Sequence, residues 1–209
     1  MKIKVFSGIA LFLLSVSSVF AAWGKKPEIR WQQVYRYDLR QHDQQLYTNR
    51  LSLTFNCLDK KEKSLLKITP FFEARRNIRE GLWEREELGI EIGRDIFSWF
   101  YLGESIQAAW LRENYCNYTS HKRRDTIESE TIFLASHELF SRKNFKLKGF
   151  VRDEYTYDFD IGAGTRNEIT MGFIIPVGKY IETGLDWRHI DRIHDYDSDT
   201  FEVSLILVF

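Results

Sequence analysis

From residue 28 onward, apolar and polar side chains alternate with a period of two over stretch after stretch of the chain. Successive side chains of an extended strand point to opposite faces, so this period predicts strands with one apolar and one polar face. Leu51, Leu53 and Phe55 oppose Arg50, Ser52, Thr54 and Asn56; Ile181, Leu185 and Trp187 oppose Glu182, Gly184, Asp186 and Arg188. The pattern predicts ten strands and no helix: about residues 28–40, 46–58, 65–76, 85–93, 99–112, 127–140, 145–157, 165–175, 180–190 and 200–209. Three positions disturb it. Pro70 cannot donate to a ladder, which predicts a bulge there. Glu104 interrupts an apolar face, and Ile132 with Leu134 blurs the sixth strand.

The arrangement of these strands points to a closed barrel rather than a soluble sandwich. The apolar face continues over many strands, and no predicted helix is available to cover it. Connections after strands two, four, six and eight read as short turns. Those after three, five, seven and nine read as mostly longer and very polar, as in 113–126 and 191–199, although the first connection is short. Membrane-spanning barrels have short turns at one end and longer loops at the other. Phe100 and Trp110 share a face ten residues apart, as do Phe145 and Tyr155. At about 3.3 Å per residue and a tilt near 40°, that spacing rises roughly 25 Å, the height of an apolar band edged by aromatic girdles. The expected fold class is an all-β, up-and-down antiparallel transmembrane β-barrel of about ten strands, with eight to twelve compatible.

The final strand carries the most specific signal. Phe201, Val203, Leu205, Leu207 and Phe209 alternate on one face, and the sequence stops on Phe209. In this the chain resembles the small bacterial outer-membrane β-barrel proteins, including families of unknown function whose strands are rich in arginine and glutamate. The resemblance implies that this strand is the assembly signal and closes the barrel on strand one. It further implies periplasmic transit with chaperones, insertion by the barrel assembly machinery, and residence among lipid and lipopolysaccharide in the outer membrane of a Gram-negative cell.

The beginning of the chain agrees. Lys2 and Lys4 precede an apolar stretch from Ile9 to Phe20, and Val19-Phe20-Ala21 suits cleavage after Ala21. Residues 1–21 therefore read as a secretory signal peptide and 22–209 as the barrel domain. The whole chain has 30 basic and 30 acidic residues, and the leader removes two lysines and no acid. The mature protein is thus slightly acidic, with no basic excess to suggest nucleic acid. Only Cys57 and Cys116 are present, placed near opposite rims, so they read as two free thiols without a metal site.

The polar face is charged rather than merely hydrophilic. It holds Arg50, Lys67, Arg75, Lys148, Arg152, Arg166 and Arg188, nearly balanced by Glu73, Glu87, Glu91, Glu154, Glu168, Glu182, Asp186 and Glu202. Eight strands enclose a space just filled by side chains, and open aqueous channels come at sixteen or so. Unpaired charge in a confined space is costly. An interlocked network that plugs the bore is therefore the first reading, and a narrow selective channel for small polar solutes the second.

A hydrolase or lipid-modifying enzyme is the third reading. The histidines are His42, His121, His137, His189 and His194, and His194 lies among Asp191, Asp195, Asp197 and Asp199. That loop mixes a base with carboxylates, yet no serine motif accompanies it, and no catalytic residue is assigned. Asp195, Asp197 and Asp199 have calcium-loop spacing, but Thr200 stands where Gly is needed and Ile206 where Glu is needed. His121-Lys122-Arg123-Arg124 reads as a solvated loop that can touch lipopolysaccharide phosphates. Asn117-Tyr118-Thr119 matches a glycosylation sequon by chance in a bacterial chain, and Trp83 near Gly81 reads as a rim anchor. No cofactor is expected.

Overall fold

The computed structural model describes residues 27–39, 45–57, 66–79, 81–112, 123–142, 145–192 and 197–209. Ten strands follow one another: β1 (Glu28–Asp38), β2 (Gln45–Cys57), β3 (Leu66–Asn77), β4 (Leu82–Phe97), β5 (Phe100–Arg112), β6 (Arg123–Arg142), β7 (Phe145–Asp158), β8 (Ala163–Val177), β9 (Ile181–Arg192) and β10 (Ser198–Val208). Each pairs antiparallel with its neighbours in sequence, and β1 pairs with β10, from Arg30 opposite Val208 to Asp38 opposite Thr200. The sheet is therefore a closed up-and-down barrel without a free edge strand. No helix among the described residues is long and apolar enough to cross a membrane, a statement that does not bear on strands.

Strand number and facing follow the period-two pattern. Ile106, Val151, Phe173, Leu185 and Val203 are exposed on the outer wall, and Ile106 keeps 59% of its surface. The alternate positions on the same strands point into the barrel, where Ser105, Thr170 and Glu202 are buried. Phe145 and Tyr155 stand on the outside as expected.

Four expectations need correction. Pro70 does not mark a bulge. The β2–β3 register is the same on both sides of it, from Ser52 opposite Phe71 to Phe55 opposite Ile68. Its missing donor falls in a gap of the ladder, which costs less than displacing every following side chain to the wrong face. The bulges lie elsewhere, at Arg75/Arg76, Asp95/Phe97, Glu138/Phe140 and Thr156/Tyr157. Second, Ile132 and Leu134 do not break the sixth strand. β6 is the longest element, and Ile132 points inward with 2% exposure. Third, β4 begins three residues earlier and ends four later than the pattern predicts, because its ladder with β5 runs through the polar Arg94-Asp95.

Fourth, the alternation of connection lengths is only partial. Only four residues separate β3 from β4 and four separate β7 from β8 at the end expected to carry loops, whereas eight separate β2 from β3 at the other. The strands continue through polar sequence as paired ladder. Gly81 (φ 68°) and Gly162 (φ 74°) then supply the left-handed backbone that tight closure requires.

Candidate functional site: the charged lumen

Facing is set by the barrel, so every second residue of ten strands is delivered into one narrow interior. Direct neighbours across the ladder are often of like charge: Glu73 lies opposite Glu87, Arg75 opposite Arg85, and Glu154 opposite Glu168. Like charges directly opposite each other destabilise a sheet. The side chains relieve this by reaching diagonally or over an intervening strand.

Arg188 on β9 is the hub. Its guanidinium contacts Glu168 on β8, lies 2.9 Å from Glu202 on β10 and reaches to 3.9 Å from Glu154 on β7. Arg36 on β1 holds Glu202 from the other side, with both side chains buried. Arg166 joins Glu168 at 2.7 Å and crosses β7 to Glu130 on β6 at 2.9 Å. Arg152 lies 2.6 Å from Glu154. On the opposite wall, Arg50 lies 3.4 Å from Glu73 and 3.5 Å from Glu91, and Arg75 lies 3.3 Å from Glu73. Arg85 engages both Glu87 and Glu128, crossing over β5, where Gln107 donates to Glu128 at 3.4 Å. Toward the end holding the β4–β5 and β8–β9 turns, Lys67 pairs with Asp95 at 2.8 Å and Arg30 with Glu182 at 2.6 Å.

Of the fifteen charged residues read from sequence, Lys148 stands apart. It is exposed at the turn end and makes no ion pair among the described residues. Asp186 lies beside Glu202 across the β9–β10 ladder, and its Oδ1 has no hydrogen-bond partner among the described residues. The other thirteen join ion pairs with one another or with residues that the sequence reading passed over: Arg30, Arg36, Arg85, Asp95, Glu128 and Glu130. Parity alone could have found Arg36, which shares a face with Gln32 and Val34.

Phe71 is a further lumenal residue that alternation places and the reading omitted. It has no exposed surface, and the Arg50 guanidinium lies over its ring at 4.0 Å. Gly89 stands opposite it, and a Cβ at Gly89 would come within 2.7 Å of the Phe71 ring and 2.9 Å of the Ile106 carbonyl. The glycine makes the space that the ring fills. Tyr101 similarly lies against Gly93 and Gly103 and donates from its hydroxyl to Glu91 at 2.6 Å. Within this lining, among Arg36, Arg50, Arg75, Arg152, Arg188 and their carboxylates, remains a cavity of about 70 Å³, room for a few water molecules.

The loop candidates leave less to build on. His42, His121 and His194, with residues 193–196 and Cys116, lie outside the described residues. His189 faces outward and pairs with Asp199 at 2.8 Å. Cys57 is a free thiol. No group of three or more metal-ligating side chains converges among the described residues. Trp83 sits at the rim beneath the Arg76 guanidinium, 5.9 Å from its ring centre. Of the proposed assembly residues, Phe201, Val203, Leu205 and Phe209 are exposed on the outer wall, with Leu207 half-buried.

No protein-family model matches the chain, and no curated protein matches it. Among solved structures it is similar to a bacterial polysaccharide outer membrane secretin, at 13% identity over 88% of this chain and 65% of that one, with a TM-score of 0.46. The chain thus spans about two thirds of the secretin's length. It is also similar to the KdgM porin in complex with disordered oligogalacturonate, at 8% identity over 87% and 99% of the two chains, with a TM-score of 0.43. The translocator domain of the autotransporter NalP from Neisseria meningitidis matches at 9% identity over 99% and 98%, with a TM-score of 0.38. The barrel architecture rests on the strand order itself.

Proposed function

We propose that this protein is a non-enzymatic β-barrel of the bacterial outer membrane whose bore is closed by its lumenal charge network. The reversed polarity of the barrel supports this most. A soluble barrel encloses apolar side chains and shows polar ones to water, whereas this one buries Arg36, Arg85, Glu128, Glu168 and Glu202 inside and exposes Ile106, Val151, Leu185 and Val203 outside. Lipid is the solvent that suits such an exterior, and a closed barrel satisfies its backbone within itself. The interior matches the second half of the reading. Interlocked pairs of opposite sign surround a lumenal cavity of about 70 Å³, and that tight charged lining supports a closed bore.

The test is fractionation of cells producing the full chain, followed by electrophoresis of detergent-extracted protein with and without boiling. The reading expects the protein in the outer-membrane fraction and a folded band that migrates differently from the boiled one. Protein that stays soluble without detergent and shows no such shift would overturn it.

A further inference from the structure

The outer wall is not uniformly convex. Between two rows of side chains across β6–β10 runs an apolar furrow of about 750 Å³. Ala135 on β6 and Gly149 on β7 are among its small residues, and its larger side chains include those of Trp99, Phe173, Trp187 and Phe201. Leu139, the bulged residue of β6, lies against Gly149, where an added Cβ would come within 2.8 Å of its Cδ1. Four strand spacings separate β6 from β10, so the furrow extends roughly 19 Å across the wall.

Its two ends differ. At the β10 end stand Trp187 and Phe201. At the other end is His137, and beyond it the β6–β7 hairpin overhangs: the β5 ladder stops at Ala135 and the β8 ladder at Lys148. Phe140 and Phe145 are exposed on this overhang with their rings 6.0 Å apart. Arg142 is exposed on the same outward face, opposite Phe145 across the hairpin, whereas Lys146 and Lys148 alternate with Phe145, Leu147 and Gly149 and stand on the inward face. Glu138 is the one carboxylate among the overhang's described residues, and it is 3.7 Å from Lys146. A narrow apolar slot with a cation, Arg142, at one end only is complementary to an anionic head carrying a single long chain. A protein strand is a poorer fit, because the bulge and charges of β6 protect that edge against pairing.

Building on the membrane reading above, we infer that this furrow is a phospholipid site, holding one acyl chain along Gly149 with the phosphate near the outward-facing His137 and Arg142. Because the slot is apolar along its length, chain burial supplies the affinity, and the overhang supplies preference for an anionic head.

The experiment is native mass spectrometry of the full detergent-folded protein titrated with phosphatidylglycerol or phosphatidylcholine bearing sixteen-carbon chains. The expected result is saturable retention of one lipid per barrel, tighter for phosphatidylglycerol. Gly149→Leu and Ala135→Phe, which fill the slot, should each weaken retention of both lipids on the order of 50-fold, the worth of about three buried methylenes. Arg142→Glu should abolish the preference for phosphatidylglycerol. The heat-modifiable band of each variant reports whether the barrel is folded. Undiminished retention in folded, slot-filled variants overturns the site while leaving the barrel reading intact. A second protein copy in place of lipid overturns it equally.

Discussion

Replacing Arg188 with methionine tests whether the lumenal network acts as a structural unit. The substitution keeps an aliphatic stem but strips one partner from Glu168, Glu202 and Glu154. Glu168 keeps Arg166 and Glu202 keeps Arg36. Removing one member of a buried pair costs about 3–5 kcal/mol, and the retained partners place Arg188→Met near the lower end, about 3 kcal/mol. With a urea dependence of roughly 1–3 kcal/mol/M, the unfolding midpoint of protein in lipid vesicles should fall by about 1–3 M. Lys148→Met is the matched control, since Lys148 is exposed and unpaired among the described residues, and it should stay within about 0.5 kcal/mol of the parent. Adding Glu202→Gln to Arg188→Met should cost less than the sum of the single changes, because the second removes a charge that the first left under-compensated. If Arg188→Met is no more destabilising than Lys148→Met, the ion pairs are incidental and the reasoning about the lumen fails.

Three further outcomes follow from the structure. Gly89→Val should lower folded yield sharply, because the new side chain meets the Phe71 ring, Gln107 Cβ and the Ile106 carbonyl at under 3 Å; adding Phe71→Leu should restore part of it, as heat-modifiable gels would show. On the outer wall, Ile106→Arg should destabilise the vesicle-inserted barrel by about 2–4 kcal/mol, as a guanidinium near the bilayer midplane does; a change near zero would place that residue in water. Glu104, bonded among the described residues to Thr131 at 2.7 Å on the same outer face, should give a barrel at least as stable when replaced by leucine, with an unfolding midpoint that rises or holds.

Most of the architecture was readable because one periodicity governs it. Once Leu51, Leu53 and Phe55 are assigned outward, Arg50 and Ser52 must point inward, and the same logic runs through ten strands. It did not reveal where ladders end. Arg94-Asp95 and Arg123-Arg124 read as loops by polarity, yet a ladder extends through polar sequence when its partner does the same. Nor did it reveal which lumenal charges meet. Arg166 and Glu130 lie on strands separated by β7, and Arg85 and Glu128 on strands separated by β5, so their contacts depend on barrel closure and on small lumenal residues beneath them. Phe71 was hidden for the opposite reason: a large apolar residue at an inward position contradicts the simple two-face scheme, and only the facing Gly89 explains it. Ile132 and Leu134 misled in the same way.

The central claim is that the charged interior closes the bore. Its most direct measurement is the current across a planar lipid bilayer containing the purified, heat-modifiable protein. The account predicts no steady conductance above the bare bilayer, for the parent and for Lys148→Met alike. Stable, single-sized conductance steps from the folded parent protein would contradict it and identify the lumen as a pore.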